Sequence, residues 1–338
     1  MGASLTLHDI EAAAQRIANY AHRTPVLTCQ SLDAMVGASL FFKCENFQKV
    51  GAFKFRGACN AVFSLSEQEA GRGVATHSSG NHAAALALAA RWRGISATIV
   101  MPYTAPAIKK AAVAGYGARV VFCEPTLKAR EETLAAEVAR SGATVVHPYN
   151  DERVIAGQGT AALELLADVA NLDIVMTPVG GGGLLSGTAI AVTACSPKTK
   201  VMGAEPEGAD DAYRSLRAGR ILPSLSPKTI ADGLLTSLGD KTFPIIQEKV
   251  TDIVTVSEEA IISAMRHIWE RMKIIIEPSC AVPFAALLEG KVNVKGQRVG
   301  IILTGGNVDL DRLPWQYNES AKSTSDYTQE AIIANTNQ

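Results

Sequence analysis

The sequence predicts an α/β protein with two open, twisted, mainly parallel sheets, one in a large domain and one in a smaller domain inserted into it. Three observations carry this. Strand-like and helix-like segments alternate over residues 73–149 and again over 157–205, as parallel sheets with crossover helices require. The chain has 338 residues, 47% of them hydrophobic and 19% charged, which is enough apolar content to bury such cores. Four consecutive glycines, Gly180, Gly181, Gly182 and Gly183, sit directly between a strand and a helix of the second alternation. The expected division is a large domain of residues 1–69 and 150–317, a small α/β domain of 70–149, and a polar tail of 318–338.

In chain order, residues 6–20 show helical periodicity, with Leu7, Ile10, Ala14 and Ile17 on one face and Thr6 as cap; Thr24-Pro25 ends it. Residues 39–45 read as a buried strand, and a helix is expected over 56–64. The small unit then offers strands at 74–77, 97–101, 119–122 and 144–147, with helices at 83–92, 107–116 and 126–140. The second alternation gives a helix over 157–169, a strand at 174–177, a helix at 184–194 and a strand at 200–205. A long helix follows Ser257, with Ile261, Ile262, Met265 and Ile268 apolar, and a final core strand runs over 298–303. The tail after Trp315 is rich in Ser, Thr, Asn and Gln and has no apolar period, which reads as a loosely held surface segment.

The charge balance of 32 Lys plus Arg against 33 Asp plus Glu argues against binding nucleic acid or a membrane surface by bulk charge. No apolar run has the length of a bilayer span, and no signal peptide is evident. The start, Met1-Gly2-Ala3-Ser4-Leu5-Thr6, fits the loose myristoylation pattern, a match that carries little weight. The six cysteines have no metal-ligand or disulfide-framework spacing, which reads as reduced thiols in a cytoplasmic protein.

Chemistry concentrates at five places. Lys54 stands between Phe53 and Phe55, flanked by Gly51 and Gly57, and is either a plain cation or the amine of a Schiff base. Residues 180–183 are either a flexible linker, which seldom sits at a strand–helix junction, or a loop whose backbone approaches an anion at the positive end of the following helix, which suits a phosphate. Ser78-Ser79-Gly80-Asn81-His82 opens a helix in the small unit and reads as an ordinary cap or as a carboxylate clamp. Thr304-Gly305-Gly306-Asn307 ends the last core strand, either as a tight turn or as a loop whose hydroxyl meets a ring nitrogen. Glu205-Pro206-Glu207-Gly208-Ala209-Asp210-Asp211 is either an acidic helix start or an oxygen-rich site for Mg²⁺ or Ca²⁺.

A phosphate cradle, a carboxylate clamp, a hydroxyl for a ring nitrogen and a lysine between aromatics are together what pyridoxal 5′-phosphate needs. On these motifs the chain resembles the serine racemase and serine/threonine dehydratase family, fold-type II (tryptophan-synthase-like) pyridoxal-phosphate enzymes, over about residues 6–316. The resemblance implies that Lys54 is the Schiff-base lysine and that Phe53 packs on the cofactor. It makes Gly180, Gly181, Gly182 and Gly183 the phosphate loop, Asn81 the partner of the ring hydroxyl, and Thr304 the group facing the pyridine nitrogen. Ser78, Ser79, Asn81 and His82 match the loop that holds the substrate α-carboxylate, and the counterpart of Ser79 is the acid/base opposite the lysine in racemases. Glu205, Asp211 and the Ala209 carbonyl match a divalent-cation site for Mg²⁺, or Ca²⁺ or Mn²⁺. Ala52 departs from the serine usual in the family. Family habit implies a homodimer.

The implied activity is that of an ammonia-lyase (dehydratase). The Lys54 amine takes the Cα proton, a β-hydroxyl leaves as water, and the product hydrolyses to a 2-oxo acid and ammonia. A neutral hydroxyl at the ring nitrogen does not enforce a protonated pyridine, so expulsion of the β-substituent competes well. Residues 75–77, 147–151, 227–235 and 307–311 look closer to 3-hydroxyaspartate ammonia-lyases than to general serine or threonine dehydratases. Arg130 aligns with an arginine that holds the distal carboxylate of diacids, with a surface ion pair to Glu131, Glu132 or Glu137 as the other reading, and Thr236 stands at a ligand-contacting position. The alternatives are a serine/threonine dehydratase, a serine racemase, a β-replacement enzyme, or a descendant of the fold that binds without catalysis.

Overall fold

The structure is a computed structural model that describes residues 5–316. Its strands are β1 (Val26–Leu27), β2 (Ser39–Cys44), β3 (Val74–His77), β4 (Ala97–Pro102), β5 (Arg119–Cys123), β6 (Thr144–Val145), β7 (Ile174–Pro178), β8 (Lys200–Pro206), β9 (Asp252–Val256) and β10 (Arg298–Leu303). The helices before the glycine loop are α1 (Leu7–Ile17), α2 (Gln30–Val36), α3 (Lys54–Phe63), α4 (Glu67–Arg72), α5 (Asn81–Arg93), α6 (Ala107–Gly115), α7 (Leu127–Ser141) and α8 (Glu152–Asp168). After it come α9 (Gly183–Cys195), α10 (Asp211–Ala218), α11 (Thr242–Lys249), α12 (Glu258–Met272) and α13 (Pro278–Leu288).

Two sheets form, as the alternation predicts. The larger has the order β1-β2-β10-β7-β8-β9 and the smaller β5-β4-β3-β6. Every pairing is parallel except β1 with β2. In the larger sheet the period of two sends alternate side chains into different cores. Ile174, Met176, Met202 and Ala204 join the cluster under α12 and α13. Val175, Val201, Ile253 and Ile302 join the one under α1, α8, α9 and α11. A third cluster joins β3 and β4 to α5 and to the apolar side of α3.

The loops after β2, β7, β8 and β10 all leave the C-terminal edge of the larger sheet, the edge where open α/β sheets bind ligands. Those after β3 and β6 leave the same edge of the smaller sheet.

Some boundaries differ from the sequence reading for local reasons. The lysine helix begins at Lys54 rather than at 56, because the backbone before it is pinned to the turn after β10. The next long helix starts at Glu152, capped by the Asp151 carboxylate, rather than at 157. The strand expected over 144–147 keeps only Thr144–Val145. Helices α2, α4, α10, α11 and α13 and strands β1 and β9 are additional; α13 carries Pro283 in its interior and α11 is short, which masks both as helices in sequence. The start, Met1–Ser4, and the tail, 318–338, lie outside the described residues.

Candidate active site

Lys54 is the first residue of α3. The chain before it is stitched to the turn after β10. Phe53 N–H donates to the Thr304 carbonyl (3.0 Å), Gly306 N–H to the Gly51 carbonyl (3.0 Å), and Ala52 bridges Gly305. Val50 is left-handed (φ 55°), a costly conformation for a β-branched residue, and its carbonyl accepts from Asn307 Nδ2 at 2.7 Å. The Lys54 ammonium lies 5.1 Å from the Phe53 ring centroid and donates to the Pro148 carbonyl at 2.8 Å. Burial lowers its pKa to about 8, against the opposing pull of Glu277.

Asn81 opens α5, and the N-cap position is Gly80, with no side chain capping the helix. The hydroxyls of the serine loop are therefore not spent on capping, which favours the clamp reading; Ser78 Oγ only accepts from Gly80 N–H at 3.3 Å. The Asn81 amide accepts from Asn307 Nδ2 (2.9 Å) and donates to both oxygens of Glu277 (3.0 and 3.1 Å). Glu277 is buried, and its carboxyl is raised to about 7 by burial and by Asp232, against the hydrogen bond from Asn81. The Thr304 hydroxyl is buried among these groups without a protein partner, the condition expected of a group reserved for a ring nitrogen.

The glycine loop lies at the start of α9, with Gly182 left-handed (φ 86°). Among the described residues the N–H groups of Gly180, Gly181 and Gly182 find no backbone acceptor. A Cβ on Gly181 would meet the Tyr149 ring at 2.3 Å, and one on Gly180 the Gly233 carbonyl at 3.0 Å. The cradle is therefore walled by Tyr149 and by the turn at Gly233. Its free N–H groups, the orphaned Thr304 hydroxyl and the Lys54 amine together fit pyridoxal phosphate.

His82 turns its ring away from the serine loop. Its ring is buried in α5 with Nε2 at 3.0 Å from the Val146 carbonyl, so the ring serves the core and only its backbone N–H is available to a ligand. Burial, helped by Lys54, drops its pKa to about 3, so the imidazole is neutral. Arg130 lies on α7 without the surface ion pair that was its other reading. None of Glu131, Glu132 or Glu137 pairs with it among the described residues; Glu132 meets Lys128, and Glu137 meets Arg119 and Arg140. The Arg130 Nε is buried without a partner; burial lowers the pKa of the neighbouring His77, with Glu131 opposing and Arg130 adding to the shift. Thr236 faces the Tyr149 phenol.

Sequence reasoning missed Glu277, the amide role of Asn307, Tyr149, and the imidazole pair His77 and His147, whose ring centroids are 6.3 Å apart. His147 Nδ1 accepts from Asn150 N–H at 2.9 Å, and burial holds its pKa near 4. The Glu277-Pro278 pair, a carboxylate followed by an N1 proline, was the available signal.

The acidic stretch divides. Glu207 pairs with Lys291 (3.5 Å) and Asp210 with Arg214 (2.7 Å) at the surface. Glu205 and Asp211 are fully buried. Glu205 accepts N–H groups of Ala212 (3.1 Å) and Tyr213 (2.8 Å), and its carboxyl is pushed well up by burial and by Asp211. Both Asp211 oxygens and the Ser224 hydroxyl are buried without a partner in good hydrogen-bonding geometry, although the Ser224 hydroxyl and the Leu238 N–H are near enough to oppose the burial that raises the Asp211 pKa to about 6. Among the described residues, no three His, Cys, Asp or Glu side chains gather to hold a metal.

Comparison with known proteins agrees with this geometry. The chain is 53% identical to the beta-hydroxyaspartate dehydratase of Paracoccus denitrificans over 92% of its own length and 98% of the relative's. It is 49% identical to the L-threo-3-hydroxyaspartate ammonia-lyase of Saccharomyces cerevisiae, covering 91% and 94%. The crystal structure of serine racemase from Dictyostelium discoideum superposes with a TM-score of 0.88 at 52% identity, covering 91% of this chain and all of that one. The family model for pyridoxal-phosphate dependent enzymes matches residues 17–305, and the chain belongs to that family.

Proposed function

We propose that this protein is a pyridoxal-phosphate-dependent ammonia-lyase that eliminates water from 3-hydroxyaspartate, releasing ammonia and a 2-oxo acid. The observation that supports the substrate is Arg130, a half-buried cation whose Nε is buried without a partner and which pairs with no carboxylate among the described residues, because a dicarboxylate needs a second cation. The relatives named for hydroxyaspartate chemistry support the same choice.

The cofactor, when bound, supplies the electron sink for the reaction. Gly180, Gly181, Gly182 and Gly183 would hold its phosphate, Thr304 its ring nitrogen, and the second N–H of the Asn81 amide its ring hydroxyl, with Phe53 against the ring. The protein's own contribution is positional. The loop of Ser78 and Ser79, with the Asn81 and His82 backbone N–H groups at the start of α5, holds the α-carboxylate. Arg130 and Thr236 hold the distal end. Lys54, neutral above about pH 8, takes the Cα proton. With a proton source on the opposite face, Ser79 would permit serine racemisation, the second reading, which the similarity to serine racemase favours.

The finer assignments belong to the same proposal. Asp211, Glu205 and the Ala209 carbonyl would hold Mg²⁺, or Ca²⁺ or Mn²⁺; the support is the pair of orphaned Asp211 oxygens. Residues 70–149 would act as the small domain against 1–69 and 150–317. All six cysteines are free, in keeping with a reducing, cytoplasmic setting, and no helix among the described residues is long and apolar enough to cross a membrane. The enzyme would work as a homodimer.

Steady-state assays of ammonia and 2-oxo acid release on 3-hydroxyaspartate, serine and threonine test the reading. Arg130→Ala should lower kcat/KM for 3-hydroxyaspartate roughly 30-fold or more, the loss of about 2 kcal/mol from a charged hydrogen bond, and leave serine nearly unchanged. A preference for serine that survives the substitution would refute the diacid assignment.

A further inference from the structure

Directly behind Lys54 lies a cluster of charges with no part in the site described above. Arg56 is 1% exposed. Its Nε meets Glu45 at 2.7 Å, one terminal nitrogen meets Glu164 (2.7 Å) and the Thr160 hydroxyl (3.1 Å), and the other meets Glu45 (2.8 Å), Glu164 (2.8 Å) and the His22 carbonyl (3.2 Å). Lys43, fully buried, donates to Glu164 (2.6 Å) and to the Thr24 carbonyl (2.7 Å), and the Thr24 hydroxyl closes on Glu45 at 2.5 Å. Two cations and two carboxylates thus balance, and the Arg56 fork is fully occupied.

Burying such a set is not a way to gain stability, since well-packed apolar groups do as well or better. What it fixes is orientation. The cluster joins β2, the turn after it and α8 to the first turn of α3. At about 100° per residue, positions 54 and 56 lie on nearly opposite sides of that turn, so locking Arg56 on the inner side locks Lys54 on the outer side. A helix rotation of about 20° would swing a group some 6 Å from the axis by roughly 2 Å. The contact on the third side is equally close: a Cβ on Gly157 of α8 would meet the Arg56 carbonyl at 2.6 Å, so α3 has little room to slide.

We propose that Arg56, with Glu45, Glu164 and Lys43, is a positioning clamp that sets the rotation of α3 and thereby the place of the Lys54 amine. The inference rests on Lys54 as the cofactor-bearing amine. A misplacement of 1–2 Å is enough to cost about a hundredfold in rate.

The test uses the holoenzyme of two variants. Arg56→Met combined with Glu45→Gln removes the fork while leaving Lys43 and Glu164 to neutralise each other, and Glu164→Gln loosens one side of the clamp. Three quantities are followed: thermal midpoint, affinity for pyridoxal phosphate by its visible absorbance, and the pH midpoint of that absorbance, with Lys54→Ala as the control that abolishes it. The clamp predicts weaker cofactor binding by about tenfold, a displaced pH midpoint and a kcat lowered some 10- to 100-fold in the double variant, with smaller changes of the same kind in Glu164→Gln. Wild-type affinity and pH midpoint in both variants overturn it, whatever the thermal midpoints do. An unfolded double variant beside a spectroscopically normal Glu164→Gln also overturns it, since the cluster is then structural only. A wild-type protein that develops no absorbance with the cofactor sinks the Lys54 reading itself.

Discussion

At the scale of single residues, the amine of Lys54 and the carboxyl of Glu277 are held in unusual protonation states by burial. Lys54 must be neutral to accept a proton, and burial puts its midpoint near 8. The rate of ammonia release should therefore climb through an acid limb centred near pH 8, and Lys54→Ala should lower kcat by about 10² to 10⁴, measured across pH 6–9.5. A flat profile would remove the lysine from the role of base. Glu277 works the other way. Its folded pKa of about 7 stands above the carboxylate value of 4.5, so the folded state holds a proton that the unfolded state releases. That stabilisation is complete below pH 4.5 and is lost as pH rises through 7. Urea titrations at pH 5 and pH 8 should show wild type losing more stability over that span than Glu277→Gln. Lys54 was legible in the sequence because aromatic and glycine neighbours mark it. Glu277 was not, because its partners Asn81 and Asn307 lie far away along the chain.

At the scale of elements, the glycine loop depends on having no side chain beside Tyr149. Gly181→Ala would drive a methyl to 2.3 Å from the ring, and so should weaken pyridoxal phosphate binding about tenfold or more. Pairing it with Tyr149→Ala should restore part of the loss, as read by cofactor titration. This loop, the core strands flanking it and the whole alternation of the smaller sheet were readable, because glycine runs and apolar strands are local signals. Helix α13 was not, since Pro278 and Pro283 and an apolar face all round hide its period. Helix α3 was read two residues short. Its start is fixed by hydrogen bonds to Thr304 and Gly306, a tertiary fact that no local pattern contains.

At the scale of the molecule, the two sheets are joined both by a shared apolar cluster, in which α3 packs with α5, β3 and β4, and by polar contacts. Asn81 reaches Glu277, and Lys109 reaches Asp232 (2.7 Å). The proposed cation site lies in the larger part, and a cation bound only by the folded state should stabilise the whole. Millimolar Mg²⁺ should raise the thermal midpoint by a few degrees in wild type and leave Asp211→Asn unmoved. The stitching of the lysine loop also bears on biosynthesis. Asn307 holds the carbonyl of Val50 across a sequence separation of 257, and β2 sits beside β10, the last of the described strands. At ribosomal speeds that interval takes roughly 10 to 50 s. Through all of it the nascent chain displays Lys54 with no seat for a cofactor. Cofactor capture is thus an event of the finished fold: it can seal the native state, but it cannot guide the chain there.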